Sequence, residues 1–211
     1  NAAQSHFMSD IETCDIVFGV GAAGSGKTYV SAFMAAQALE DNIIDRIIIC
    51  RPAIQAADED LGYLPGGLRD KAEPYLRPML DAFKTFWRFA PHKLDMYLKY
   101  EKIEIAPLAF MRGRTFENCW TLCDEAQNMN EDMMKMLLTR LGENGKIIIT
   151  GDPDQRDRKD ARGFEVAMET LHDIPNIGIT RFGIHDVVRH MTVARILDHW
   201  DRGPARNSIA A

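Results

Sequence analysis

Ile16-Val17-Phe18-Gly19-Val20-Gly21-Ala22-Ala23-Gly24-Ser25-Gly26-Lys27-Thr28 is the stretch on which the fold turns. Its first five residues form an apolar run of strand length. The next eight place glycines at 21, 24 and 26 ahead of a lysine and a threonine. A strand that feeds a glycine turn and then a helix lets backbone N–H groups converge on phosphate oxygens, with the positive end of the helix dipole behind them. In that pattern Gly21, Ala22, Ala23, Gly24, Ser25, Gly26 and Tyr29 wrap the phosphates. Lys27 reaches the β- and γ-phosphates, and Thr28 sets its hydroxyl on a magnesium ion. A helix is predicted over 29–39.

Working outward, short apolar runs recur at 15–20, 46–50, 102–105, 119–123, 146–150 and 177–181, most of them separated by helix-compatible segments. Strands that alternate with helices and are apolar throughout predict an α/β fold, with a mainly parallel sheet covered by helices on both faces. In such sheets ligands gather at the carboxyl ends of the strands. The reactive residues all fall there: Gly21 to Thr28, Arg51, Asp124 with Glu125, and Asp152 to Gln155. One connection, 52–101, is unusually long. It holds Leu61-Gly62-Tyr63-Leu64-Pro65-Gly66-Gly67, then a helical stretch with Leu76, Leu80, Phe83 and Trp87 on one face. The stripe predicts packing on the core. A lid or a partner surface is the alternative use of so long a connection.

The charged strand ends define the chemistry. Trp120-Thr121-Leu122-Cys123 runs into Asp124-Glu125-Ala126-Gln127. Beside a phosphate-binding loop, the aspartate of such a pair holds magnesium and the glutamate orients and deprotonates the attacking water. Gln155, after Gly151-Asp152-Pro153-Asp154, carries an amide suited to sensing the terminal phosphate. Phosphoryl transfer also profits from an arginine near the γ-phosphate, from the same chain or a neighbouring subunit. The candidates are Arg189, Arg181, Arg112 and Arg114. His185 and His190 have no second ligand at suitable spacing and are read as helix-end or surface residues.

The chain's 211 residues suit one domain over 1–202, with a helical insertion at about 52–101 and a flexible tail at 203–211. An apolar share of 46% and a charged share of 27% are those of ordinary globular proteins. No apolar run approaches the ~20 residues that span a bilayer. No basic region followed by an apolar stretch opens the sequence, so a cytoplasmic location is expected. A net charge of −6 argues against indiscriminate coating of nucleic acid but leaves room for a local basic groove. Cys14, Cys50, Cys119 and Cys123 form no Cys-x-x-Cys pair, and three of them lie in the strand-like runs, as reduced core cysteines do.

Laid side by side, these segments resemble the PhoH-like family of P-loop ATPases over almost the whole chain. The resemblance rests on residues 21–28, Arg51-Pro52-Ala53, Leu61-Gly62-Tyr63-Leu64-Pro65-Gly66 and Pro74-Tyr75-Leu76-Arg77-Pro78. It continues through 105–115, Asp124-Glu125-Ala126-Gln127-Asn128, Leu138-Thr139-Arg140-Leu141-Gly142, Thr150-Gly151-Asp152 with Gln155, and Asp186-Val187-Val188-Arg189-His190. Ala22 stands where the family commonly has proline and Ser25 where it has threonine. Both are small.

The family is similar to the RecA-like, three-layer motor half of superfamily 1 helicases. The resemblance implies ATP and Mg2+ as ligands, with Thr28 and Asp124 on the metal, Glu125 as catalytic base and Gln155 as phosphate sensor. It implies that Gln4 reads adenine, and that Arg51–Ala53 and Arg112–Thr115 meet RNA or single-stranded DNA. It further implies a homo-oligomer, a ring in some relatives, in which Arg189 or another arginine acts in trans. From a different class comes a regulatory module that uses ATP to switch assembly with a protein partner through Phe83, Phe86 and Trp87. A small-molecule kinase is disfavoured by the second carboxylate, Glu125.

Overall fold

A computed structural model describes residues 1–52, 68–157 and 160–187. The expected loop at 61–67, Arg189 and the tail at 203–211 lie outside the described residues.

Six strands form one parallel sheet: β1 (Ile16–Gly21), β2 (Arg46–Cys50), β3 (Ile103–Ile105), β4 (Cys119–Cys123), β5 (Lys146–Gly151) and β6 (Ile177–Phe182). Their spatial order is β3-β2-β4-β5-β1-β6. Each falls within a residue or two of its expected run. Alternate residues leave a strand on opposite faces, so a strand apolar at every position needs cover on both.

That cover is present. Val17, Ile47, Ile49, Leu122 and Ile148 pack towards α1 (Ala2–Thr13), α2 (Lys27–Glu40), α3 (Leu68–Phe86) and α4 (His92–Lys99). Their neighbours Ile16, Phe18, Ile48, Cys123, Ile147 and Ile149 pack towards α5 (Glu131–Leu138) and α6 (Gly163–Leu171). The result is the three-layer P-loop NTPase fold. Among the described residues no helix is long and apolar enough to cross a membrane.

Helix α1 was not read from the sequence. Its signals are a capping box, in which Asn1 accepts from the Gln4 N–H while the Gln4 side chain returns to the backbone of Asn1, and the buried i, i+4 pair Phe7 and Ile11. The predicted helix at 29–39 is α2, which starts two residues earlier and ends one later. Its buried face is built of Ala32, Ala35, Ala36 and Ala38, so the helix lies close on the sheet.

The expected apolar stripe of the insertion runs along the later part of α3 and into the turn that follows it, and Leu76, Leu80, Phe83 and Trp87 are all buried. Phe86 meets Phe33 of α2 edge-on at 4.8 Å between centroids. These aromatics therefore hold the insertion to the core. Glu40, the last residue of α2, completes the attachment. Its carboxylate accepts from Trp87 Nε1 (2.8 Å), Tyr97 OH (3.0 Å) and Lys93 Nζ (2.6 Å).

Burial pushes the Glu40 carboxyl up, but the three donors and the Lys93 charge outweigh it and hold the group below its ordinary value. Such a shift adds stability that is fully present above the unfolded carboxylate range and is lost as pH falls through the folded value. Glu40→Ala is expected to lower unfolding free energy by about 2 kcal/mol near neutrality, as loss of hydrogen bonds to a charged group does. The gap between wild type and variant should close in acid. Denaturant titrations followed by tryptophan fluorescence at several pH values check both; a gap that widens as pH falls contradicts the assigned ionisation.

Candidate active site

The loop after β1 turns on three glycines with positive φ: Gly21 at 133°, Gly24 at 84° and Gly26 at 90°. L side chains avoid this region, which is why the turn needs glycine. Gly26, which has no side chain to cap with, is the N-cap of α2. The leading N–H groups of a 14-residue helix thus point to the inner side of the loop.

Lys27 is buried, and its ammonium donates to the carbonyls of Gly21 (2.6 Å) and Ala22 (2.9 Å) and to Ser25 Oγ (3.2 Å). Ser25 Oγ in turn donates to the Ala22 carbonyl (2.9 Å). Gln4 of α1 braces the same loop from outside, its Nε2 donating to the Ser25 carbonyl (3.0 Å). Tyr29 stacks on Phe33 at 5.0 Å between centroids and stays partly exposed at the groove.

The facing wall comes from β4 and β5. Because β5 lies between β1 and β4, Thr150 near its end reaches across to Asp124. Asp124 Oδ1 accepts from Thr150 Oγ1 (2.6 Å), and Asp124 Oδ2 accepts from Thr28 Oγ1 (3.0 Å). The threonine and aspartate singled out for metal binding therefore touch, although they are far apart in sequence.

Glu125 follows in a left-handed conformation (φ 59°, ψ 35°), which costs a non-glycine residue on the order of 1 kcal/mol or more. Its carboxylate is held on both oxygens. Arg51 Nη2 lies 3.1 Å from Oε1, and Gln127 Nε2 donates to Oε2 at 2.6 Å.

Gln127 is 1% exposed, and its amide ties two segments together. Besides Glu125, its Nε2 reaches the Gln155 carbonyl (3.4 Å), and its Oε1 accepts from the Asp152 N–H (3.0 Å). Asp152 links the same segment to the glycine loop. Its Oδ2 accepts from the Ala23 N–H (3.1 Å) and from Gln155 Nε2 (2.8 Å).

The loops after β1, β4 and β5 thus form one hydrogen-bonded unit around a groove of about 270 Å³. Lys27, Thr28, Tyr29, Asp124, Glu125, Asp152 and Gln155 line it. Sequence reading placed Asp152 here without a role and gave none to Gln127 or Thr150. The Arg112–Thr115 run does not line this groove: Arg114 forks onto Glu104 of β3 (2.6 and 2.9 Å), a pair shared with Arg46 at 3.6 Å.

The donors fit the groups the pattern implies. Thr28 and Asp124 offer hard oxygens side by side, as magnesium requires. Among the described residues no cluster of three or more His, Cys, Asp or Glu gathers for a metal. A metal here would take its remaining ligands from phosphate and water, as magnesium commonly does.

The sequence profile described as PhoH-like protein matches residues 1–201. The chain belongs to this family. Among its relatives, the protein named PhoH from Escherichia coli K12 is 46% identical over 201 residues, covering 93% of this chain and 56% of that protein. The PhoH-like protein of Synechocystis is 43% identical over 94% of this chain and 60% of its own length. That of Bacillus subtilis is 43% identical over 94% and 62%. The chain therefore spans little more than half the length of these family members.

In three dimensions the large terminase of a thermophilic bacteriophage superposes with a TM-score of 0.57 at 12% identity, over 93% of this chain and 48% of that one. The helicase domain of Pyrococcus furiosus Hef gives 0.52 at 12% identity, over 87% and 38%. At that identity the likeness is one of fold.

Proposed function

We propose that the chain is a magnesium-dependent ATPase whose turnover is coupled to single-stranded nucleic acid. The observation that carries the reading is the pair at the end of β4. Asp124 touches Thr28 of the phosphate-binding turn, and Glu125 stands beside it on the groove. One carboxylate serves the metal and leaves the other for water, the division that hydrolysis needs and that simple binding does not.

In this reading phosphate oxygens take over from the loop carbonyls that Lys27 now contacts, and its charge offsets theirs. The N–H end of α2 does the same without a counterion. Glu125 takes the proton of the attacking water. Magnesium supplies charge neutralisation on the phosphates. Gln155, joined to Asp152 and through Gln127 to Glu125, senses the terminal phosphate. Gln4 is proposed to read the adenine, being fixed beside Ser25 and Gly26. The choice of an adenine nucleotide gains support from another user of the fold, since the phage terminase was also solved in complex with ADP.

Coupling to RNA or single-stranded DNA is supported by the family likeness and by the helicase domain that shares the fold. The proposal includes assembly in the cytoplasm as a homo-oligomer with Arg189 acting across a subunit boundary. The expected result is phosphate release from ATP that needs magnesium and rises with oligo(U) or oligo(dT). The stimulation should fall steeply with salt, since phosphate contacts release counterions. Turnover that ignores both strands at low salt leaves the regulatory alternative.

A further inference from the structure

We propose that Arg51 restrains the Glu125 carboxylate and that a strand phosphate, by drawing Arg51 away, releases it. The inference rests on the strand-coupled ATPase reading above and assigns the residue through which coupling enters the site.

The contact follows from the sheet itself. β2 and β4 are neighbours in parallel register, Cys50 beside Cys123, and the Asp124 N–H donates to the Cys50 carbonyl at 3.2 Å. The chain segments leaving the two strand ends therefore run side by side, and they bring Arg51 to Glu125. Arg51 Nη2 sits 3.1 Å from Glu125 Oε1, while Gln127 takes Oε2 at 2.6 Å. Both oxygens of the proposed base are thus engaged by donors. With both oxygens held in this way, the carboxylate is directed by Arg51 and Gln127.

The two donors differ in how easily they leave. Gln127 is buried and wired to Asp152 and Gln155, so it is part of the frame. The Arg51 side chain is 21% exposed and that of Glu125 32%. Water thus reaches the pair, and a phosphodiester, which suits a guanidinium as well as a carboxylate does, can compete for Arg51. Arg51 is then a positioning residue: it acts on catalysis through Glu125. Exchange of one anion for another needs no rearrangement of the sheet.

Arg51→Gln provides the test, with ATP turnover measured in the absence of strand and with oligo(U) or oligo(dT). Basal turnover is expected to rise by about fivefold, the scale set by loss of one partly exposed ion pair. The ratio of stimulated to basal turnover should fall towards one, and the salt slope of strand binding should drop by about one contact. Arg51→Lys, which keeps the charge, should retain part of the stimulation. Affinity for a fluorescent non-hydrolysable ATP analogue should be unchanged, which separates release of the base from damage to the fold. The RNA and DNA arms show which backbone acts.

A basal rate in Arg51→Gln equal to or below wild type overturns the restraint. A raised basal rate that strands still stimulate by the wild-type factor overturns the sensing role. Failure of the strand-coupled reading shows instead in wild type alone, as absence of stimulation by either strand, and removes the proposed release with it.

Discussion

Glu125→Gln is expected to bind ATP as wild type does and to turn it over about 10²–10⁴-fold more slowly, the range over which a positioned general base contributes. The substitution keeps size, shape and backbone preference, so the left-handed turn at this position is no more strained than before. An amide oxygen can still accept from Gln127, and the frame around Asp152 is untouched. What is lost is a site that takes up a proton, together with the charge that Arg51 faces. Binding rests on the glycine turn, Lys27 and the start of α2 rather than on the Glu125 carboxylate. Single-turnover phosphate release and equilibrium binding of an ATP analogue separate the two effects. A turnover within about tenfold of wild type would remove Glu125 from the role of base.

The proposed pairing of roles can be read in the sequence because its parts are local. An apolar strand that ends in Asp124-Glu125, and another that ends in a glycine turn with Lys27 and Thr28, carry their chemistry in adjacent residues. The parallel sheet was equally legible, since β1, β2 and β5 are apolar at almost every position and only a sheet covered on both faces buries such strands. Strand order was not. Nothing within 146–151 says that β5 slots between β1 and β4, and only that placement brings Thr150 to Asp124.

The amide of Gln127 has the same character. Its identity is visible beside Glu125, but its partners come from Asp152 and Gln155, 25 and 28 residues further along the chain. Arg51 was visible as a strand-end arginine, yet its partner is set by the register of β2 on β4. Arg114 shows the converse. The family resemblance implies nucleic-acid contact there, and the structure adds a partner that no local pattern shows, Glu104 on β3. Side chains whose meaning is fixed by another strand are beyond local pattern.

Asp124→Asn carries the other large effect, and its prediction turns on that same cross-strand geometry. The carboxylate accepts from Thr150 on one oxygen and from Thr28 on the other. An asparagine can accept on only one side, and its NH2 group must face a hydroxyl on the other. Each threonine hydroxyl can rotate to act as acceptor, so the fold tolerates the change at a cost of about one hydrogen bond, ~1 kcal/mol.

The loss in function should be far larger, because the negative charge proposed to draw magnesium to Thr28 is gone. Turnover at moderate magnesium is expected to fall by about a thousandfold, a few kcal/mol of transition-state charge stabilisation. Nucleotide affinity measured with chelator present should change little, since Lys27 and the loop N–H groups do not depend on Asp124. The magnesium-dependent gain in affinity should shrink, and higher magnesium should restore part of the turnover. A variant that loses nucleotide binding equally with and without magnesium would mean that Asp124 serves the glycine turn through Thr28, and that the metal is held elsewhere.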